Sequence, residues 1–194
     1  MKYIIFVLCI IGLWGSSLGA KKEPVKFFRV INCIKDNSTD ISQLEDIELT
    51  PDPVIMKRGN LTMSGGARFL RDIPDDTVLK VRFYKLKSVL GINIDIPIPC
   101  VLGKFGSCTL PVCKYLEMYK EQVQPFWPEG EEYGCKVKAG PFYGGHNVTV
   151  TIPDLGIFGR LLVSGKYRAE LEATSKKDEQ KTPLLCFKIF VEIR

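Results

Sequence analysis

Along most of this chain apolar and polar residues alternate with a period of two. Leu79, Val81 and Phe83 alternate with Lys80, Arg82 and Tyr84. Ile92, Ile94, Ile96 and Ile98 alternate with Asn93, Asp95, Pro97 and Pro99. The pattern returns at Val148, Val150 and Ile152, at Tyr167 to Ala173, and at Phe187 to Ile193. A period of two marks strands with one packed face and one wet face, which is the habit of antiparallel sheets. Shorter candidates are Ile47 to Leu49 and Leu61 to Ser64. Between them stand turn residues, at Pro51-Asp52-Pro53, Arg58-Gly59-Asn60, Pro74-Asp75-Asp76 and Gly144-Gly145. Many strands with turns between them predict an all-β sandwich. Pro97 and Pro99 lack an N–H, so their strand is expected at an edge.

Two segments break the pattern. In Pro111 to Val123, Val112, Leu116, Tyr119 and Val123 recur at spacings of three and four. That predicts a short amphipathic helix with proline near its first turn. In Ile152 to Tyr167 the chain reads "IPDLGIFGRLLVSGKY", glycine-rich like a loop but as apolar as a core strand. Ile157, Phe158, Leu161 and Leu162 would share one side of one or two helical turns. Phe126-Trp127, between Pro125 and Pro128, is a second apolar patch. The plain reading is that both cap the core. The functional one is an apolar rim that touches lipid.

The chain's first residues set the expected compartment. Lys2 precedes an apolar run and the small residues Gly15-Ser16-Ser17-Leu18-Gly19-Ala20. This reads as a secretory leader over residues 1–19, cleaved after Gly19 or Ala20, and the run is too short to be a membrane anchor. Residues 20–194 then form one domain. Removing Lys2 leaves 26 basic against 22 acidic residues, a net of +4. With the lysines scattered, no nucleic-acid partner is expected, and a weak pull toward anionic membranes is. Six cysteines remain after the leader, at 33, 100, 108, 113, 135 and 186. An even number in an exported chain implies disulfides, with 15 possible pairings. A zinc site is not expected, because there is no C-x-x-C and His146 is the only histidine. Sequons at Asn37, Asn60 and Asn147 suit glycosylation.

No residue set points to catalysis. His146 follows Gly144-Gly145 and precedes a sequon, the setting of a surface turn. Asp75-Asp76 and Glu131-Glu132 are neighbours in turns, not a facing pair. Nucleophile-elbow and phosphate-loop motifs are absent. Neither an enzyme nor a bound cofactor is expected.

Three stretches carry a resemblance: "IELTPDPVIMKRGNLTMSGG" (Ile47 to Gly66), "IPIPCVLGKFGSCTLPVCKYLE" (Ile96 to Glu117) and "TIPDLGIFGRLLVSGKYRAELEA" (Thr151 to Ala173), followed by "LLCFKIFVEI". They are similar to the ML-domain, or lipid-recognition, family, and within it to the ganglioside-activator branch. The resemblance implies an immunoglobulin-like two-sheet antiparallel sandwich or cup with an apolar cavity for acyl chains. It implies the pairs Cys33–Cys186, Cys100–Cys108 and Cys113–Cys135. The branch has a fourth pair that this chain lacks. The resemblance also implies that Ile157, Phe158, Leu161 and Leu162 lie in a membrane-touching rim loop. The expected partners are a glycolipid, reversibly a membrane surface, and a soluble β-hexosaminidase-type hydrolase, in the lysosome or outside the cell. The alternative is a carrier or sensor of another lipid, sterol, phospholipid or foreign lipid, with no hydrolase partner.

Overall fold

The computed structural model describes residues 26–34, 40–55, 59–90, 92–142, 148–152, 163–180 and 182–194. Within them the chain is an immunoglobulin-like sandwich of two antiparallel sheets. One sheet holds β1 (Arg29–Asn32), β10 (Pro183–Ile193), β9 (Gly165–Ser175), β4 (Thr77–Val89) and β5 (Ile92–Ile98) in that order. Strand β6 (Thr109–Pro111) extends it by pairing with β4. The other sheet runs β2 (Ser42–Thr50), β3 (Gly59–Phe69), β7 (Gly140–Phe142), with β8 (Val148–Ile152) also on β3.

Register turns the sequence alternation into two faces. Leu79, Val81 and Phe83 lie opposite Ala173, Leu171 and Ala169 of β9. Those lie opposite Leu185, Phe187 and Ile189 of β10. Tyr167, Ala173 and Leu185 on this face are buried. The opposite face is charged and paired. Arg82 bridges Glu170 and Glu172, each at 3.0 Å, and Arg168 meets Asp95 at 2.8 Å. Single surface pairs contribute little, but this ladder fixes which face is wet.

In the second sheet the phase is corrected by a bulge. Glu45 pairs with Gly66 and Glu48 with Ser64, so Asp46 and Ile47 together oppose Gly65. Gly65 has φ +116°, a backbone that glycine adopts without strain. The extra residue keeps Leu44 and Leu49 on one face although their separation is odd.

A seam joins the sheets along one side. Ile41 N–H donates to the Leu184 carbonyl at 3.0 Å, and Val54 N–H to that of Glu192 at 2.8 Å. The Cys33–Cys186 disulfide lies on the same side and closes 153 residues. In the chain-entropy model such a loop contributes about 5 kcal/mol. The structure also bonds Cys100 to Cys108 and Cys113 to Cys135.

Three expectations need adjustment. The helix over 111–123 is broken. Helix α1 (Val112–Met118) ends at Tyr119, whose φ −113° and ψ 28° leave the helical region. Helix α2 (Lys120–Val123) follows, then a 3-10 turn at Gln124–Phe126 that carries Pro125. The isoleucine strand does lie at the edge, but Ile92, Ile94 and Ile96 are exposed where one packed face was expected. Strands β1, β6 and β7 have no counterpart among the expected strands.

Where β5 ends, Ser107 takes over from the ladder. Its Oγ accepts the Phe83 N–H at 2.9 Å and donates to the Ile98 carbonyl at 2.6 Å. Ser107→Ala leaves Phe83 N–H without this acceptor, and a urea unfolding curve should show about 1–3 kcal/mol of lost stability. At the base of the β9–β10 hairpin, Asp76 accepts the Ser175 hydroxyl at 2.6 Å and the Lys177 N–H at 2.9 Å. These bonds, Ser175 first, hold its carboxyl below the ordinary 3.8. A depressed folded pKa stabilises the fold above the unfolded value and loses that contribution as pH falls through the folded one. The stability gap between the protein and Asp76→Asn should therefore stay constant from neutral pH to about 5 and close only below 3.8 in pH-dependent melts.

Candidate functional site

The candidate site starts from the apolar face of the six-stranded sheet. It continues onto β5, where Phe83 pairs with Ile98 and Val89 with Ile92. Phe83 stacks on Tyr167 at a centroid distance of 5.6 Å. The Tyr167 hydroxyl donates to the Val163 carbonyl at 2.8 Å. A buried side chain of this face thus ties down the foot of the segment that enters β9. Gly165 lets that foot pass: its φ is +145°, and a Cβ there would sit 2.9 Å from the Lys85 Cε.

Two lysines interrupt the apolar face near this end. Lys85 pairs with Ile96 and Tyr167, and Lys87 with Ile94. Lys85 Nζ stands 5.5 Å from the centre of the Tyr167 ring, a cation–π distance. On the wet face the carboxylates gather around Arg82 and Arg168; here the cross-strand neighbours are apolar or aromatic.

Strand β9 begins opposite Leu86, so the rest of the β4–β5 hairpin projects beyond β9. At its tip Leu90 is 97% exposed and has φ +52°. A branched apolar residue in the left-handed region costs on the order of 1–3 kcal/mol, so the tip holds a leucine outward against its own backbone preference. Ile55 is exposed at the same end, because Val54 bridges Ile193 and Ile193 pairs with Gly165. We call this end the mouth. It gathers the hairpin tip, Ile55 and the described foot of the β8–β9 connection at Val163. Ile157, Phe158, Leu161 and Leu162 belong to that connection and lie outside the described residues, as do Asn37, Asn147 and His146. Asn60 is exposed on β3.

Phe126 and Trp127 are not at the mouth. Helix α1 follows β6, which pairs with the opposite end of β4, at Val78 to Lys80. Trp127 is half-buried, donates its indole N–H to the Glu132 carbonyl at 3.2 Å and packs against Tyr133 at 4.7 Å. Tyr133 in turn donates to the Leu116 carbonyl at 2.6 Å. Phe126 and Trp127 therefore lie toward the end of the domain opposite the β4–β5 hairpin tip. The hairpin tip was missed by sequence reasoning. Its signal was there: a leucine between valine and glycine at a turn, followed by alternating isoleucines.

For a metal, Cys113, Glu117 and Cys135 come within 4.8 Å of one another among the described residues. The two sulfurs are bonded to each other, so neither is a thiolate ligand. The turn acids are committed elsewhere. Asp76 is held by Ser175 and Lys177, and Glu131 pairs with Lys138 at 3.2 Å.

No curated protein matches the chain. Among solved structures it is similar to a Niemann-Pick type C2 protein from Japanese carpenter ant, at 12% identity, with 86% of this chain and all of that one covered and a TM-score of 0.38. It is also similar to the C-terminal domain of wzt, at 12% identity, 87% and 81% coverage and a TM-score of 0.34. A family model described as the ML domain matches residues 28–193, nearly the whole of the described chain. The chain belongs to the ML-domain family, a family of lipid-binding proteins.

Proposed function

We propose that this protein is a secreted or lysosomal lipid carrier that draws a glycolipid from a membrane and presents its headgroup to a soluble hydrolase, as a ganglioside GM2 activator does. The observation that carries the reading is a mostly apolar sheet face that crosses four strands, is interrupted at Lys85 and Lys87, and leads to a mouth edged with exposed apolar side chains. Acyl chains would lie along that face, and the headgroup would stay outside. A buried CH₂ gains roughly 0.8 kcal/mol in a bilayer or in a protein. The two sites nearly balance, so lipid moves either way without bond-making. The β8–β9 segment from Ile157 to Leu162 completes the rim in this reading. Its glycines at 156 and 159 suit a loop that enters the interface and leaves again.

The lysines at the mouth support an acidic headgroup. Lys85 and Lys87 stand where the polar part of a lipid would emerge. A sialic-acid carboxylate or a phosphate would meet them there. The reading as a carrier of another acidic lipid, without a hydrolase, shares this feature.

The purified protein should move a fluorescent ganglioside between vesicles with no other protein present. Phe158→Asp combined with Leu161→Asp should slow transfer by about tenfold or more, at an unchanged melting temperature. If the double variant fails to fold, those side chains cap the core and the rim role is wrong. Addition of the protein to β-hexosaminidase and vesicle-bound ganglioside should raise hydrolysis. Transfer without that stimulation selects the hydrolase-free carrier.

A further inference from the structure

Of the eleven large apolar side chains exposed among the described residues, eight fall between Val89 and Phe105. This stretch is the tip of the β4–β5 hairpin, the edge strand β5 and the loop closed by Cys100–Cys108. The loop repeats the tip in miniature. Val89-Leu90-Gly91 and Val101-Leu102-Gly103 both place a leucine before glycine at a turn. Leu90 and Leu102 are the two non-glycine residues with positive φ in the described chain, at +52° and +54°. They are also the two most exposed large apolar residues, at 97% and 85%.

The loop is braced, so it holds its apolar tip in place. Gly103, with φ +65°, completes the turn, and Lys104 N–H donates to the Val101 carbonyl at 3.0 Å. The Tyr119 hydroxyl donates to the Lys104 carbonyl, and that of Tyr115 to Cys108 at 3.1 Å. Gly106 packs so closely that a Cβ there would meet the Pro99 carbonyl oxygen at 2.1 Å. The two leucine turns bound β5, about 23 Å long at about 3.3 Å per residue, with its line of exposed isoleucines.

We infer that this whole edge, from Leu90 along β5 to Leu102 and Phe105, docks on an anionic bilayer and lays the domain side-on against it. Charge selects the occupant. Lys87 and Lys104 flank the line, and its single acid, Asp95, is already paired with Arg168 at 2.8 Å. Apolar tips ringed by lysines suit a surface with an apolar interior and acidic headgroups. Pairing with a strand of another chain is disfavoured, because Pro97 and Pro99 withhold two ladder donors. Side-on docking brings the mouth to the membrane plane with β5 as the runner. The inference deepens the carrier reading and rests on it for its purpose, though not for its geometry.

The test is flotation with vesicles of phosphatidylserine and phosphatidylcholine, and of phosphatidylcholine alone, for the full secreted protein, Leu102→Asn with Phe105→Ser, and Leu90→Asn. Asparagine tolerates the left-handed backbone, so both variants should fold as well as the original. Lipid loading is followed separately, with a short-chain ganglioside offered below its micelle concentration. Each variant should lose about tenfold in binding to the acidic vesicles, and the Leu102/Phe105 variant, altered away from the mouth, should load the soluble lipid normally. Undiminished vesicle binding by the Leu102/Phe105 variant overturns the inference and leaves the mouth as the sole contact. Undiminished binding with weakened self-association, or with lost stimulation of a hydrolase, also overturns it and assigns the edge to a protein. Failure of the unmodified protein to load lipid overturns the carrier reading instead, and flotation still decides the edge.

Discussion

The structure depends on one constraint: the strands of the six-stranded sheet stay in a common phase, apolar toward the second sheet and charged toward water. Arg82 with Glu170 and Glu172, and Arg168 with Asp95, hold three strands in that phase from outside. A slip of one residue would carry the arginines inward and the leucines outward. The bulge opposite Gly65 shows the same constraint in the other sheet, where an extra residue is absorbed to keep Leu44 and Leu49 together. Because the phase holds over four strands, their apolar residues share the inner face, which Lys85 and Lys87 interrupt near one end.

A protein of this size ordinarily fills such a surface with its own side chains. Here Ile92, Ile94 and Ile96 remain exposed, and the hairpin that carries them runs past its neighbour β9. The seam at Ile41–Leu184 and Val54–Glu192 joins the sheets on the β10 side, while β5 forms the far edge. Among the described residues the sheets are joined along the β10 side, and the isoleucines of β5 stay exposed at the far edge. Leu90 and Leu102, held outward in left-handed backbone, fit the carrier reading, since strain of this kind gathers at working surfaces.

Much of this was legible from the sequence, and the exceptions have physical causes. Strands with five or more alternating residues were readable because alternation is imposed by burial on one side. Strands β1, β6 and β7 have three or four residues and too few positions to alternate. The helix break at Tyr119 is tertiary, because its hydroxyl is engaged by the Cys100–Cys108 loop. The apolar face was readable from Ile92 to Ile98, but its exposure was not, because a period of two says which residues share a face and not what covers it. Phe126-Trp127 looked like a rim patch on composition. Its place at the helix end follows from β6 pairing beside Val78, a contact that no local pattern carries. The residues at 157–162 lie outside the described residues.

The central claim is that the apolar face holds lipid. Native mass spectrometry of the protein purified without detergent from the cells that make it tests it most directly. The account predicts a population heavier than the lipid-free protein by the mass of a lipid, released as that lipid on collisional activation. A protein that carries no lipid, and takes up none when incubated with natural membrane extract, would contradict it.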